Sequence, residues 1–85
     1  MAIAIGIRVR FFARLREQAG AETEGIEVAP GSTLADVYAA LRIKHSALPE
    51  PASVRAALNQ EFADWNTTVA AGDEVAFIPP VSGGR

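Results

Sequence analysis

The chain has 85 residues, of which 49% are hydrophobic, and this length allows one small domain with a single core and excludes a second domain. A formal net charge of −2 argues against nucleic acid as the main partner, because phosphate binding needs a basic face. The absence of cysteine excludes disulfides, thiol nucleophiles and zinc–thiolate sites. The apolar start, residues 2–7, is too short to span a membrane, so we expect no membrane association and a cytoplasmic protein.

The first third of the chain predicts a strand, a short helix and a second strand. Residues 3–11 alternate between apolar and small or charged side chains, which is the pattern of a half-buried strand. Residues 12–19 then favour a short helix that ends at Gly20. Residues 26–28 indicate a second strand, which is closed by a turn at Pro30–Gly31.

The main helix is predicted directly after this turn. Ser32 or Thr33 can cap it, and Asp36 lies three residues after Thr33, as in a capping box. The apolar residues at the helical spacing i, i+3, i+4 and i+7 are Leu34, Val37, Tyr38 and Leu41. His45, near the end of this helix, has no acidic residue or second histidine at a suitable spacing. We interpret it as a surface residue of the kind favoured at helix C-termini.

Three further strands complete the predicted order. The proline-rich loop 46–51 precedes a third strand over residues 54–58, a turn at Asn59–Gln60 and a short edge strand over residues 61–63. The last strand covers residues 74–78. The expected core consists of apolar residues that fall on one face of a predicted strand or helix, namely Ile5, Ile7, Val9, Leu34, Val37, Leu41, Val75 and Phe77. We expect Tyr38 and Trp65 to be further packing residues.

The C-terminal segment differs in character from the domain before it. Pro79–Pro80 ends sheet pairing, because proline lacks a backbone N–H and fixes φ. Gly83–Gly84 has no Cβ atoms, so it can pass a narrow channel and leaves the second glycine's carbonyl open to attack. Fully extended, the segment from the first proline to the second glycine reaches about 20 Å, enough to enter another protein's active site. We therefore predict a domain over residues 1–78 and a flexible, extended tail over residues 79–85.

Three segments resemble the motifs of one family, the small subunits of molybdopterin synthase. They are Val9–Glu17, Ala57–Gln60 and Gly72–Gly84. A Gly-Gly pair alone is shared with ubiquitin and several sulfur carriers, whereas the closing string Gly-Asp-Glu-Val-Ala-Phe-Ile-Pro-Pro-Val-Ser-Gly-Gly is specific for this family. The resemblance covers essentially the whole chain. Together with the predicted order of elements, it implies an α+β fold of the ubiquitin-like β-grasp type, in which a mixed sheet packs on one main helix.

The resemblance implies a protein that carries sulfur on its C-terminus. An adenylating enzyme similar to ubiquitin-activating enzymes would use ATP to activate the carboxylate of Gly84, and a sulfur donor protein would convert the adenylate to a thiocarboxylate. The tail would then deliver sulfur to cyclic pyranopterin monophosphate in the large synthase subunit, during molybdenum cofactor biosynthesis. The chain would be a non-catalytic sulfur-donor subunit of a transferase complex and would itself bind no cofactor or metal. We expect a monomer that forms a heterotetramer with the large subunit.

Arg85 departs from the pattern of this family, whose members usually end at the second glycine. With Arg85 attached, the carbonyl of Gly84 belongs to an amide and cannot be adenylated as a carboxylate. Arg85 is therefore a residue that a peptidase removes, a cloning remnant, or a sign of a diverged protein that no longer carries sulfur. The alternative functions are sulfur transfer in another thiolation pathway, for thiamine or a tungsten cofactor, and a non-covalent ubiquitin-like adaptor that retains Arg85.

The expected partner-binding residues lie both in the domain and in the tail. Phe12 and Ile78 have the opposite parity to the neighbouring core positions, so we expect them to be exposed, and exposed apolar clusters mark interfaces. Related carriers use a hydrophobic patch at the start of the tail, which implies a docking patch of Phe12, Phe62 and Ile78. Arg16 falls within the first family motif and is added as a docking residue. The expected partner-binding residues of the tail are Pro79, Pro80, Val81, Ser82 and Gly83.

Overall fold

The computed structural model describes residues 3–79 of the chain. Their secondary structure follows the order predicted from the sequence. The elements are β1 (Ile5–Phe11), α1 (Arg14–Ala19), β2 (Thr23–Val28), α2 (Leu34–Lys44), a 3₁₀ turn (Pro51–Ser53), β3 (Arg55–Leu58), β4 (Glu61–Phe62) and β5 (Glu74–Ile78).

The strands of the described region form one five-stranded sheet in the order β2-β1-β5-β3-β4. β1 and β5 run parallel at its centre, with Val9 opposite Val75, and all other neighbouring strands are antiparallel. Parallel neighbours require a long crossover connection, and the connection between β1 and β5 contains α2. The predicted α+β fold, a mixed sheet packed on one main helix, is confirmed.

The core lies between α2 and one face of the sheet. Seven of the eight expected core residues are buried, and Val9, Val37 and Phe77 have no exposed surface. The exception is Ile5, which is only partly buried. Pairing between β1 and β5 starts at Arg8, so the first residues of β1 have no β5 neighbour to cover them. The buried core residues are Ile7, Val9, Phe11, Leu15, Ala19, Leu34, Val37, Tyr38, Leu41, Leu48, Val54, Ala56, Val69, Val75 and Phe77.

An aromatic cluster joins α2 to the sheet. The rings of Tyr38 and Phe77 lie 4.8 Å apart between centroids, and the ring of Trp65 stacks on Phe77 at 5.8 Å. The hydroxyl of Tyr38 donates a hydrogen bond of 2.7 Å to the carbonyl oxygen of Pro49. Burial raises the pKa of Tyr38, although the positive charge of Arg42 opposes that rise. The packing role expected for Tyr38 and Trp65 is confirmed.

A capping box fixes the start of α2. The side chain of Thr33 accepts a hydrogen bond of 3.2 Å from the backbone N–H of Asp36, and the carboxylate of Asp36 accepts one of 3.0 Å from the N–H of Thr33. Thr33, one of the two candidates, is therefore the cap, and Ser32 donates instead to the carbonyl of Ala29. Both reciprocal bonds satisfy N–H groups that the helix itself leaves unpaired.

Five predicted boundaries were wrong. β1 begins at Ile5 instead of residue 3, β3 begins at Arg55 instead of residue 54, and β4 ends at Phe62 instead of residue 63. α1 begins at Arg14, because Ala13 has φ 54° and ψ −131°, which no helix accommodates. The N–H of Leu15 donates to the carbonyl of Phe12 at 3.1 Å, so a tight turn separates β1 from α1. β2 begins at Thr23, before its apolar residues, because it pairs with β1 along its whole length.

Candidate partner-docking site

The face of the sheet opposite α2, called the outer face below, carries the end of β5. Ile78 is the last residue of β5, and its Cα neighbour on β3 is Arg55. On the other side, the backbone N–H of Phe12 donates to the carbonyl of Phe77 at 3.2 Å, so Phe12 lies beside the end of β5. Because side chains alternate between the two faces of a sheet, Phe12, Ile78 and Arg55 share the outer face. Residue 79 therefore leaves the sheet between an aromatic residue and an arginine.

Phe12 is covered by an arginine from β1, the strand that directly precedes it. Phe12 is 38% exposed, and the guanidinium carbon of Arg10 lies 5.1 Å from the centroid of its ring. The same guanidinium donates to a carboxylate oxygen of Glu74 on β5 at 3.3 Å. This geometry suits a cation–π contact, and the charge of Arg10 is balanced within the domain.

Phe62 is covered by an arginine from the neighbouring strand. Phe62 is 59% exposed, and the guanidinium carbon of Arg55 lies 4.0 Å from the ring centroid. A two-residue turn, with φ 50° at Asn59 and 75° at Gln60, sets the register that pairs Phe62 with Ala57. The structure thus brings Phe12, Ile78 and Phe62 to one face, as the docking patch requires. It adds two stacked arginines, which are not in the docking patch expected from the family motifs.

A groove lies beside the start of the tail. It is lined in part by Ala13, Gln18, Pro49 and Pro79. The side-chain oxygen of Gln18 is buried and accepts no hydrogen bond from the described residues. Arg16, the other docking residue expected in the domain, is exposed on α1. Pro79 lines this groove and directly follows Ile78, so the start of the tail connects the groove with the outer face.

Most of the tail assigned from the sequence is not part of the described structure. The residues Pro80, Val81, Ser82, Gly83, Gly84 and Arg85 lie outside the described residues. The reacting carbonyl at Gly84, the contacts expected for residues 80–83 and the flexibility of the tail stay predictions. Of the expected tail residues, Pro79 is described, and it is half-buried after β5.

Sequence reasoning missed one polar cluster at the other side of the domain. Glu24 on β2 accepts a hydrogen bond from Lys44 and another, of 2.8 Å, from Nε2 of His45. The imidazole also packs edge-on against Phe11 at 6.2 Å between centroids. His45 is thus a half-buried residue with a carboxylate partner. The expected position of His45 at the C-terminus of α2 is confirmed, but the residue is half-buried and not on the surface, because its carboxylate partner comes from β2.

The Glu24 side chain is only 12% exposed. Burial opposes its ionisation, but the hydrogen bonds and charges of Lys44 and His45 outweigh burial, so the pKa of Glu24 is lowered. The cluster ties the C-terminal end of α2 to an edge strand. It lies on the helix side of the sheet, away from the docking patch, so we assign it to stability.

The described residues form a surface suited to binding another protein more than a site for a metal ion. Within residues 3–79, no group of three His, Asp or Glu side chains is placed to hold a metal ion. No helix in this region has the length and apolar character needed to cross a membrane. At the end of β5 the outer face presents Ile78 together with aromatic rings and guanidinium ions, and aromatic residues and arginine are enriched at protein interfaces.

A mixed sheet on one main helix, with two parallel strands at its centre, defines a ubiquitin-like β-grasp protein. The chain belongs to the ThiS family, which it matches over residues 9–84. It is 40% identical over 81 residues to the molybdopterin synthase sulfur carrier subunit of Chlamydomonas reinhardtii, an alignment that covers 92% of this chain and 98% of the relative. The family resemblance inferred from the three motifs is confirmed.

Two solved structures place the fold among small β-grasp proteins. The crystal structure of small archaeal modifier protein 1 of Haloferax volcanii is 31% identical with a TM-score of 0.82, and the comparison covers 91% of this chain and 99% of that one. A subunit in the complex of subunits 1 and 2 of molybdopterin-converting factor from Helicobacter pylori is 28% identical with a TM-score of 0.67, over 94% of this chain and all of that one. The predicted ubiquitin-like β-grasp fold is confirmed.

Proposed function

We propose that this protein is the sulfur carrier subunit of a molybdopterin synthase and works with a large subunit in a heterotetramer. The observation that carries the proposal is similarity over nearly the whole chain to proteins named as sulfur carrier subunits. The Helicobacter pylori relative was solved as a complex of two subunits, which supports a large subunit as the partner. The cytoplasm is the compartment that we propose, since the activation chemistry consumes ATP.

The arrangement of β5 supports this role. Its last residue, Ile78, lies in one row with Phe12 and Arg55 on the outer face. A partner that covers this row is also positioned to receive the residues that follow Pro79. Docking and delivery of the reactive C-terminus are then one event, and each contact on the outer face contributes to placing the tail.

Gly84 carries the reacting group in this proposal, once Arg85 is removed. A free carboxylate is a poor electrophile, so a separate adenylating enzyme converts it with ATP to an acyl adenylate. Sulfide-level sulfur from a donor protein then attacks the acyl carbon and displaces AMP, which leaves a thiocarboxylate on Gly84. Glycine suits this position, because without a Cβ it leaves the carbonyl carbon accessible to both enzymes. The acid, base and phosphate-binding groups for the transfer belong to the large subunit.

The decisive experiment is reconstitution followed by intact-mass measurement. The chain ending at Gly84 is incubated with its adenylating enzyme, ATP and a sulfur source. We expect the mass change for exchange of one oxygen by sulfur, and conversion of cyclic pyranopterin monophosphate when the large subunit is added. The chain that retains Arg85 is the matched control and stays unchanged. A chain ending at Gly84 that acquires no sulfur would contradict the proposal.

One observation favours a second candidate function, covalent protein modification. The Haloferax volcanii relative is named a small archaeal modifier protein. The same activated Gly84 would react with an amine of a target protein and form an amide instead of a thiocarboxylate. Immunoblots of the tagged chain in its own cells separate the two functions. A ladder of heavier conjugates that depends on Gly84 would favour modification, and a thiocarboxylate without conjugates would favour sulfur transfer.

A further inference from the structure

The two arginine–aromatic stacks on the outer face differ in one respect. Arg10, which covers Phe12, also bonds to the carboxylate of Glu74. Arg55, which covers Phe62, makes no ion pair with any described residue, although Asp64 lines the same hollow. The guanidinium of Arg10 therefore has a carboxylate partner inside the domain, whereas that of Arg55 has none within ion-pair distance among the described residues.

Arg55 also lies between two residues of the docking patch, Ile78 and Phe62. Its Cα is the register neighbour of Ile78, and its guanidinium reaches across to the ring of Phe62. The side chain thereby connects the end of β5 with the exposed edge of the sheet. Any partner that covers Ile78 and Phe62 together also covers Arg55.

Stacking prepares Arg55 to bind a carboxylate. A guanidinium that lies against an aromatic face keeps its N–H donors in the plane, where they can bind both oxygens of a carboxylate. The ring also restricts a long side chain, so less conformational entropy remains to be lost on binding. Burying this charge without a partner would be unfavourable, so an interface that covers it has to supply an anion.

We propose that the Arg55–Phe62 pair is a carboxylate-recognition element, and that the large synthase subunit presents an Asp or Glu side chain to it. This inference rests on the proposed function for the identity of the partner. The chain as a whole has a net charge of −2, so general electrostatics would repel an acidic surface. The attraction between the guanidinium of Arg55 and the partner's carboxylate is local, and it orients the partner at the start of the tail.

Binding of purified variants to the large subunit tests the inference, with each dissociation constant measured at low and high salt. We expect Arg55→Gln to weaken binding about 10- to 100-fold, as for loss of a hydrogen bond to a charged group, and to reduce the salt dependence. Arg55→Lys keeps the charge but loses the planar fork, so its loss is smaller. Phe62→Leu keeps apolar area but removes the ring under the guanidinium, and we expect an intermediate loss. Thermal unfolding shows whether each variant is folded.

Arg42→Gln on the exposed side of α2 is the matched control, and we expect a change of less than about twofold. Equal binding by Arg55→Gln and the wild type would overturn the inference and leave the sulfur-carrier function intact. A loss seen with the adenylating enzyme but not with the large subunit would overturn the assignment of the partner. A wild-type chain that is loaded with sulfur but does not bind the large subunit would overturn the inference together with the synthase role.

Discussion

Nε2 of His45 lies 2.8 Å from a carboxylate oxygen of Glu24, and this contact joins the end of α2 to β2. Lys44 bonds to the other oxygen of the same carboxylate. Two donors at the C-terminus of the helix thus converge on one acceptor from the edge strand. Because β1 is the one strand of the described region that pairs with β2, this cluster is a second attachment of that edge to the rest of the domain.

Replacing Glu24 should make stability less dependent on pH. The pKa of Glu24 is lowered in the folded protein, so its ionised form stabilises the fold above about pH 4.3, the ordinary pKa of glutamate, and this contribution is lost as pH falls through the lowered value. Glu24→Gln should reduce the free energy of unfolding by about 1 to 3 kcal/mol at neutral pH. The difference should shrink as the pH is lowered from neutral to pH 3. Urea denaturation at both pH values measures it.

Glu27→Gln is the control for this prediction. Glu27 lies on the same strand, is exposed and makes no ion pair within the described residues. Its substitution should change stability by less than about 0.5 kcal/mol at either pH. A pH-independent loss for Glu24→Gln would mean that shape, and not charge, holds the cluster together.

Whether a contact could be predicted from the sequence depends on how far apart its two residues are along the chain. The capping box of Thr33 and Asp36 was predictable because its two members are three residues apart. The partner of His45 was not, because Glu24 precedes it by 21 residues and only the fold brings them together. The Arg55–Phe62 stack likewise depends on the register of the β3–β4 hairpin. Local periodicity therefore predicts elements and faces, whereas contacts between elements need the tertiary structure.

The β3–β4 turn should be open to stabilisation. Gln60 has φ 75°, in the left-handed region where a side chain is strained and glycine is not. Gln60→Gly should therefore raise the free energy of unfolding by about 0.5 to 1 kcal/mol, measured by urea denaturation. A lower stability would show that the Gln60 side chain makes contacts that outweigh the backbone strain.

Substitution of Asn59, the other residue of this turn, by glycine should lower the stability of the protein. Asn59 also has a positive φ, but its side chain donates to Asp73 and accepts from the N–H of Glu74 at 3.0 Å. These bonds fasten the turn to the start of β5. Asn59→Gly relieves the backbone and removes both bonds, so we expect a net loss of about 1 kcal/mol. A gain equal to that of Gln60→Gly would mean that these bonds contribute nothing to stability.

The hydroxyl of Tyr38 should contribute to the stability of the fold through a single hydrogen bond. It donates to the carbonyl of Pro49 at 2.7 Å, which connects α2 to the loop before β3. Tyr38→Phe keeps the ring packing on Phe77 and Trp65 but leaves that carbonyl without its donor. We expect a loss of about 1 to 2 kcal/mol in the free energy of unfolding. No change would indicate that water replaces the hydroxyl without cost.

The strongest effect on partner binding should come from a charge at the end of β5. Ile78→Asp places a carboxylate in the middle of the docking patch and opposite Arg55, so it removes apolar contact and also takes the guanidinium away from the partner. We expect binding to the large subunit to lose about 2 to 4 kcal/mol, or roughly 30- to 1000-fold in affinity. Ile78→Ala removes only the apolar part and should cost less. Isothermal titration calorimetry measures both.

The matched control for this substitution is Ile43→Asp. Ile43 is 87% exposed on α2, which packs on the opposite face of the sheet, so the same chemical change there leaves the docking patch intact. Both aspartate variants should stay folded in thermal unfolding, since neither position is fully buried. If the two variants bind the large subunit equally well, the row of Phe12, Ile78 and Arg55 does not position the tail, and a different surface of the domain guides it.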